Sequence, residues 1–235
     1  MSFTRFASGL AALTVLAGCG SVQNAYVKDT SSPAYAVRAT LRGGDADAGG
    51  RKRGPGVEIG YEGYRAEGTQ TLNAGESIWL PGGAVFGPQT LSHTARVEQF
   101  YVAYNHRLRF GSSFELEPYV GVTSAKLKFE TTPSGSSTAM LLDNRETGVT
   151  AGITPRWRFT DLVATEFRYN YIETHEFVRG SSYEVAVVVT PVPQVGLRLG
   201  WSDRRHFVKS DATPQVGSEV SIRARGPLAT LQFDF

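Results

Sequence analysis

Apolar and polar residues alternate along most of this chain. In residues 195–202 the odd positions are Val, Leu, Leu and Trp, and the even positions are Gly, Arg, Gly and Ser. Side chains point to opposite faces at successive positions of a β-strand, so a period of two predicts strands with one apolar and one polar face. Eight segments show this pattern: 56–66, 94–109, 113–129, 143–158, 161–175, 181–190, 194–206 and 219–235.

The connections between these segments differ in length. Residues 110–113, 160–161 and 191–193 predict tight turns, whereas 67–93, 130–142, 176–180 and 207–218 predict longer loops. Short turns therefore share one rim and long loops the other, which predicts an all-β, antiparallel up-and-down β-barrel. Eight strands are expected, with ten as the alternative, because residues 35–42 also alternate and an odd number would put one terminus at the opposite rim.

The last segment changes phase. Val220, Ile222 and Ala224 share one face, but Leu231 and Phe233 fall on the other. A β-bulge at Gly226-Pro227 would restore one continuous apolar face, and it is the expected explanation.

The polar rows are rich in Glu and Arg. If the apolar rows face lipid, these charges point into the lumen, and eight strands leave room only for the side chains themselves. We expect a closed lumen of salt bridges, with a narrow charged channel as the alternative. The predicted network contains Glu58, Glu62, Glu115, Glu117, Glu146, Glu166, Glu184, Arg107, Arg156, Arg158, Arg168, Arg198, Arg223 and Arg225.

Aromatic residues lie near both predicted ends of the strands. Phe110, Trp157 and Phe159 lie near the short turns, and Tyr169, Tyr171 and Trp201 lie nearer the long loops. Amphipathic rings favour the headgroup level of a bilayer, which predicts two interfacial belts. Trp79, beside Pro81-Gly82-Gly83, is predicted to lie outside them.

Two end segments resemble sorting signals. Leu16-Ala17-Gly18-Cys19 follows an apolar run and resembles the lipobox of bacterial lipoproteins, which implies cleavage before Cys19 and its acylation. The chain ends on an alternating segment with Phe233 and Phe235, which resembles the assembly signal of outer-membrane barrels. Taken with the strands, the chain resembles the small OmpA/OmpX-type barrels. This implies a signal peptide over 1–18, an acylated linker over 19–32 and a barrel over 33–235, with the role of 33–53 open.

Chemistry-bearing motifs are few. The formal net charge is +2, and the single Cys excludes a disulfide framework. Four histidines are never paired at metal-ligand spacing, so neither metal nor cofactor is expected. His93, His175 and His206 near the long-loop rim, with Ser92 close by, keep open a lipid A deacylase-like enzyme, although no enzyme is expected.

The resemblance implies a monomer in the Gram-negative outer membrane, anchored at Cys19. Its expected role is structural or surface-interacting through long extracellular loops, and its expected partners are membrane lipid, lipopolysaccharide and the envelope assembly machinery. Nucleic acid is not an expected partner, because Arg51-Lys52-Arg53 is a short basic run. A periplasmic lipocalin-like binding barrel, with its apolar faces inward, is a further alternative.

Overall fold

The computed structural model describes residues 22–44, 52–80, 83–136, 140–175, 178–208 and 220–235. The predicted signal peptide and Cys19 lie outside these residues. Thirteen strands are present: β1 (Val22–Gln23), β2 (Ala25–Asp29), β3 (Ala34–Arg42), β4 (Gly54–Leu72), β5 (Ser77–Leu80), β6 (Gly83–Phe86), β7 (Gln89–Phe110), β8 (Phe114–Pro133), β9 (Met140–Arg158), β10 (Val163–Thr174), β11 (Val178–Val192), β12 (Val195–Val208) and β13 (Val220–Asp234).

Ten strands form one mixed sheet, in the order β12-β11-β10-β9-β8-β7-β4-β3-β13-β2. The all-β prediction is confirmed, and each of the eight alternating segments is a strand. β13 also pairs with β12, so the pairings of nine strands run in a cycle. The segment 35–42 is an additional strand of that cycle, β3. Its pairing with β13 is parallel, unlike the purely antiparallel arrangement that was expected.

The two ends of the described chain lie at opposite rims of the sheet. β2 and β3 run parallel to β13, with Ala25 beside Val220 and Thr40 beside Asp234. The short turns after β7, β9 and β11 lie at the same rim as Asp234, which we call the short-turn rim. The connection from β4 to β7, which contains the hairpin β5–β6, lies at the other, long-loop rim. β1 pairs with β5 there.

The sheet exchanges its apolar face part-way along the strands. Near the short-turn rim β7 exposes Phe100 and Tyr104 while Asn105 and Arg107 are buried; near the long-loop rim it buries Leu91 and exposes Arg96. A buried apolar cluster therefore fills the long-loop half, including Val27, Tyr64, Leu72, Ile78, Leu91, Phe129, Val208, Ile222 and Leu228.

The same exchange explains the phase change in the last strand. β12 and β13 stay in continuous register from Val195–Phe233 to Val208–Val220, so the predicted bulge at Gly226-Pro227 is wrong. Ile222 is buried in the apolar cluster, whereas Leu231 faces outward. A continuous apolar face is not needed, because each half of the strand meets a different environment.

Candidate functional site

Side chains of opposite charge fill the interior of the short-turn half. Alternation along each strand brings them to one face, and the cycle of pairings brings those faces together. Eleven of the fourteen residues predicted for the charge network lie there: Glu58, Glu62, Glu115, Glu117, Glu166, Glu184, Arg107, Arg156, Arg158, Arg168 and Arg198.

The middle layer of this network centres on Arg198 and Glu184. The Arg198 side chain is fully buried, with Nη2 at 2.7 Å from Glu166 Oε1 and Nη1 at 3.3 Å from Glu184 Oε2. Glu184 also accepts hydrogen bonds from Arg38 and Arg204, at 3.1 and 2.9 Å. Three guanidinium groups thus converge on one carboxylate, which ties β3, β11 and β12 together across the interior.

A tyrosine-lined cluster lies beside that layer. Tyr101 donates a hydrogen bond of 2.6 Å to Glu58, and Arg168 donates one of 2.9 Å to the same oxygen. The Arg168 guanidinium also lies 4.1 Å from the centroid of the Tyr119 ring, a cation–π geometry. Gly60 makes room for this packing, because a Cβ there would overlap the Tyr101 ring.

A second layer closes the short-turn end. Arg158 binds Glu115 through two nitrogens, at 2.9 and 3.1 Å, and Arg109 reaches the same carboxylate at 2.8 Å. Glu117 lies 3.0 Å from both Arg42 and Arg107. Asp234 completes the layer at 2.7 Å from Arg107. Two-point arginine–carboxylate contacts give directional bonds as well as charge compensation.

Little empty space is found within this interior. The cavity at the short-turn end, beside Arg107 and Arg156, has a volume of about 20 Å³. Another, between Glu62, Gln99 and His206, has about 10 Å³. Each has room for about one water molecule. Removing one partner of a buried ion pair costs roughly 3–5 kcal/mol, so the network holds its residues in a single arrangement.

Three predicted members of the network lie elsewhere. Arg223 and Arg225 are on the outer face, where both bind Asp203 at 2.9 Å. Glu146 is nearer the long-loop rim and accepts a hydrogen bond from Thr174 at 2.6 Å. These residues lie in the half where the apolar face is inside, so extending one face assignment along the whole strand misplaced the two arginines.

The sequence prediction also missed several members: Arg38, Arg42, Arg109, Arg204, Asp234, Tyr101 and Tyr119. Alternation could have found some of them. Arg38 and Arg42 occupy the polar row of the ninth alternating segment, and Arg204 continues the row of Arg198. Their roles follow once β3 belongs to the cycle.

The outer surface of the short-turn half is apolar. We call the outward apolar side chains of β3, β4 and β7–β13 the apolar belt. It includes Leu41 (65% exposed), Val122 (64%) and Leu199 (53%). On β7 it runs over ten residues from Phe100 to Phe110. At about 3.4 Å per residue and a strand tilt of about 40°, that length corresponds to a height of roughly 26 Å.

Aromatic rings lie at both edges of the apolar belt. Trp157, Phe110 and Phe159 are exposed beside the short turns, and Trp157 packs against Phe114 with ring centroids 5.7 Å apart. Trp201 is exposed towards the other edge. Phe233 and Phe235, at the end of the chain, are stacked at 6.2 Å. Trp79 lies away from the belt, in the β5–β6 hairpin.

Two of the candidate catalytic histidines are buried in the long-loop half. His93 contacts Thr131 at 2.8 Å and Gln70 at 3.3 Å, and burial lowers its pKa to about 4. His206 contacts Tyr64 at 2.7 Å, and burial with the nearby Arg204 charge lowers its pKa to about 3. Ser92 neighbours His93 in sequence but points to the exposed face. His93 and Ser92 are therefore not brought together.

Among the described residues, no three His, Cys, Asp or Glu side chains form a group that could hold a metal ion. Helices long and apolar enough to cross a membrane are likewise absent from the described part of the chain. No family model, curated protein or solved structure matches this sequence.

Proposed function

We propose that the protein is an outer-membrane β-barrel lipoprotein of nine strands, whose lumen is closed by the arginine–glutamate network. In this proposal it serves a structural or surface-interaction role through its long-loop rim. The observation that carries the proposal is a coincidence: the outer face is apolar over the same strand segments whose inner face is charged. In water, that arrangement would expose the apolar belt and bury the charges, whereas hydrocarbon favours it.

The height of the belt supports this environment. Outer-membrane barrels carry an apolar band about 25 Å tall between aromatic girdles. The belt on β7 has a height of roughly 26 Å, and exposed tryptophans lie at each edge. The long-loop half then extends beyond the bilayer, where a polar outer surface over an apolar core is the stable arrangement.

The nine-strand cycle also determines where the chain ends would emerge. Outer-membrane barrels have short periplasmic turns and longer extracellular loops. With that orientation Asp234 is periplasmic and β2 is extracellular. An acyl group on Cys19, three residues before Val22, would then enter the outer leaflet and not the inner one.

Lipopolysaccharide is the partner whose chemistry fits the surface just beyond the belt. Arg65, Arg96 and Lys128 line an outward groove with a volume of about 110 Å³, together with Thr94 and Glu130. Arg96 lies four residues beyond Phe100 on β7, which places the groove at the level of lipid headgroups. Guanidinium and ammonium groups there would pair with lipid phosphates.

Membrane fractionation tests the proposal. The full-length protein and the Cys19→Ser variant are expressed in a Gram-negative host, and membranes are washed at alkaline pH. Both should remain in the outer-membrane fraction, because the belt and not the acyl group provides the main attachment. Release of the variant into the wash would contradict a spanning barrel.

Planar bilayers test the closed lumen. The purified protein should show no steady conductance, since the cavities inside the network hold about one water each. A variant that removes two paired charges, Arg198→Ala with Glu184→Ala, should conduct measurably if the network is the barrier. Steady conductance of the wild type would instead favour the narrow-channel alternative.

A further inference from the structure

The charges of the buried network balance in one layer and not in the other. In the middle layer the four arginines Arg38, Arg168, Arg198 and Arg204 meet the four carboxylates of Glu58, Glu62, Glu166 and Glu184. In the short-turn layer the described residues supply five arginines but three carboxylates: Arg42, Arg107, Arg109, Arg156 and Arg158 face Glu115, Glu117 and Asp234.

Arginine keeps its proton in proteins, so this excess of two positive charges cannot be relieved by deprotonation. The five side chains are also largely removed from water; Arg42 is fully buried and Arg156, the most accessible, is 11% exposed. Uncompensated buried charge costs several kcal/mol per ion. A counter-ion is therefore favoured in this layer.

A cavity lies where the excess is located. It has a volume of about 20 Å³, is partly open at the short-turn rim, and is lined by Arg107, Arg156 and Arg158. Gln194 and Gln232 line it as well and offer amide donors. Asp234 also lines it, but its carboxylate is held by Arg107 at 2.7 Å. The volume suits one monatomic ion, because about 10–15 Å³ accommodates one water.

We propose that this cavity binds a single small inorganic anion of the size of chloride, which acts as a structural counter-ion for the short-turn layer. The inference depends only on buried side chains. It therefore stands or falls separately from the location of the protein in a membrane.

Thermal unfolding of the purified protein tests the site. The melting temperature is measured in sodium chloride, sodium bromide and sodium gluconate at equal ionic strength and constant pH. Chloride and bromide should raise it by about 3–5 °C over gluconate, which is too large for the cavity, because a ligand that binds only the folded state stabilises it. Equal melting temperatures in the three salts would overturn the proposal.

The variant Gln232→Glu supplies a carboxylate in place of the anion. The Gln232 side chain already contacts Arg156, at 3.4 Å, and the substitution keeps its shape. We expect a higher melting temperature in gluconate and loss of the chloride effect. Ser221→Glu, on the outer face of the same strand, is the control and should retain the chloride effect. A Gln232→Glu variant that folds and still responds to chloride would refute the site. Anomalous diffraction from a bromide-grown crystal gives a direct check: a bromide peak beside Arg156 supports the proposal, and a cavity without one contradicts it.

Discussion

Ile222 and Leu231 lie on the same strand, and their side chains point to opposite faces of the sheet. Ile222 is fully buried in the apolar cluster of the long-loop half, whereas Leu231 is 39% exposed in the apolar belt. Nine residues separate them, so simple alternation places them on different faces. One strand thus contributes its apolar row first to a protein core and then to the outer surface.

This relationship predicts unequal costs for two similar truncations. Ile222→Ala should lower the free energy of unfolding by about 2–4 kcal/mol, because it leaves a cavity in a packed core. Leu231→Ala should lower it by less than about 1 kcal/mol, since detergent or lipid can fill the space. Denaturant unfolding in one detergent measures both. Similar losses for the two variants would show that Leu231 is also packed against protein.

The strands themselves could be predicted from the sequence because alternation is a local signal. It located the eight segments and the extra segment at 35–42. The closing pair could not be found in this way, since β3 and β13 are far apart in sequence and their parallel register depends on the cycle of nine strands. The eight-strand expectation had also required both ends of the chain at one rim.

The candidate site was partly predictable for a related reason. The parity of a position tells which side chains share a face, and this placed Arg198, Glu166 and Glu184 together. It does not tell which face is inside at a given height along the strand. Arg223 and Arg225 have the alternation of a buried row but lie beyond the exchange of faces, where they bind Asp203 outside.

Glycine substitutions test the packing of the tyrosine cluster. Gly60→Ala should lower the free energy of unfolding by about 1–3 kcal/mol, because its Cβ would overlap the buried Tyr101 ring and force it to shift. Gly196→Ala is the matched control. The nearest atom to a Cβ there is Val188 Cγ1 at 3.7 Å, so it should be tolerated. Chemical denaturation compares the two, and equal stability of both variants would contradict the packing.

Buried and exposed ion pairs should differ in energy. Arg198→Met leaves Glu166 and Glu184 with fewer counter-charges in a dry layer, and it should cost about 3–5 kcal/mol. Arg65→Met breaks a pair with Glu67 at 2.8 Å in which both side chains are more than half exposed, and it should cost less than about 1 kcal/mol. Urea unfolding of both variants measures the difference. A small loss for Arg198→Met would mean that water or another cation reaches the middle layer.

Two buried histidines predict a pH dependence. The folded state lowers the pKa of His93 to about 4 and of His206 to about 3, from an ordinary value of 6.5. Below pH 6.5 the unfolded chain therefore takes up protons that the folded protein refuses, and the free energy of unfolding should fall as the pH is lowered. Between pH 6.5 and 5 few carboxylates titrate, so this window isolates the histidines. Denaturant unfolding of the wild type and of His93→Gln with His206→Gln checks this. The wild type should lose stability across the window and the double variant should lose less, whereas parallel profiles would refute the assignment.

The opposite positions of β2 and of the short turns predict an asymmetric labelling pattern if the protein spans the outer membrane as proposed. Ser31, next to β2, and Ser112, in the turn between β7 and β8, are both exposed. In a Cys19→Ser background, Ser31→Cys should react with a membrane-impermeant maleimide on intact cells, whereas Ser112→Cys should react only after the outer membrane is opened. Labelling in lysed cells is the control for accessibility of each thiol. The reverse pattern would invert the proposed orientation. Labelling of both positions on intact cells would rule out a span between them, because the two rims would then share one compartment.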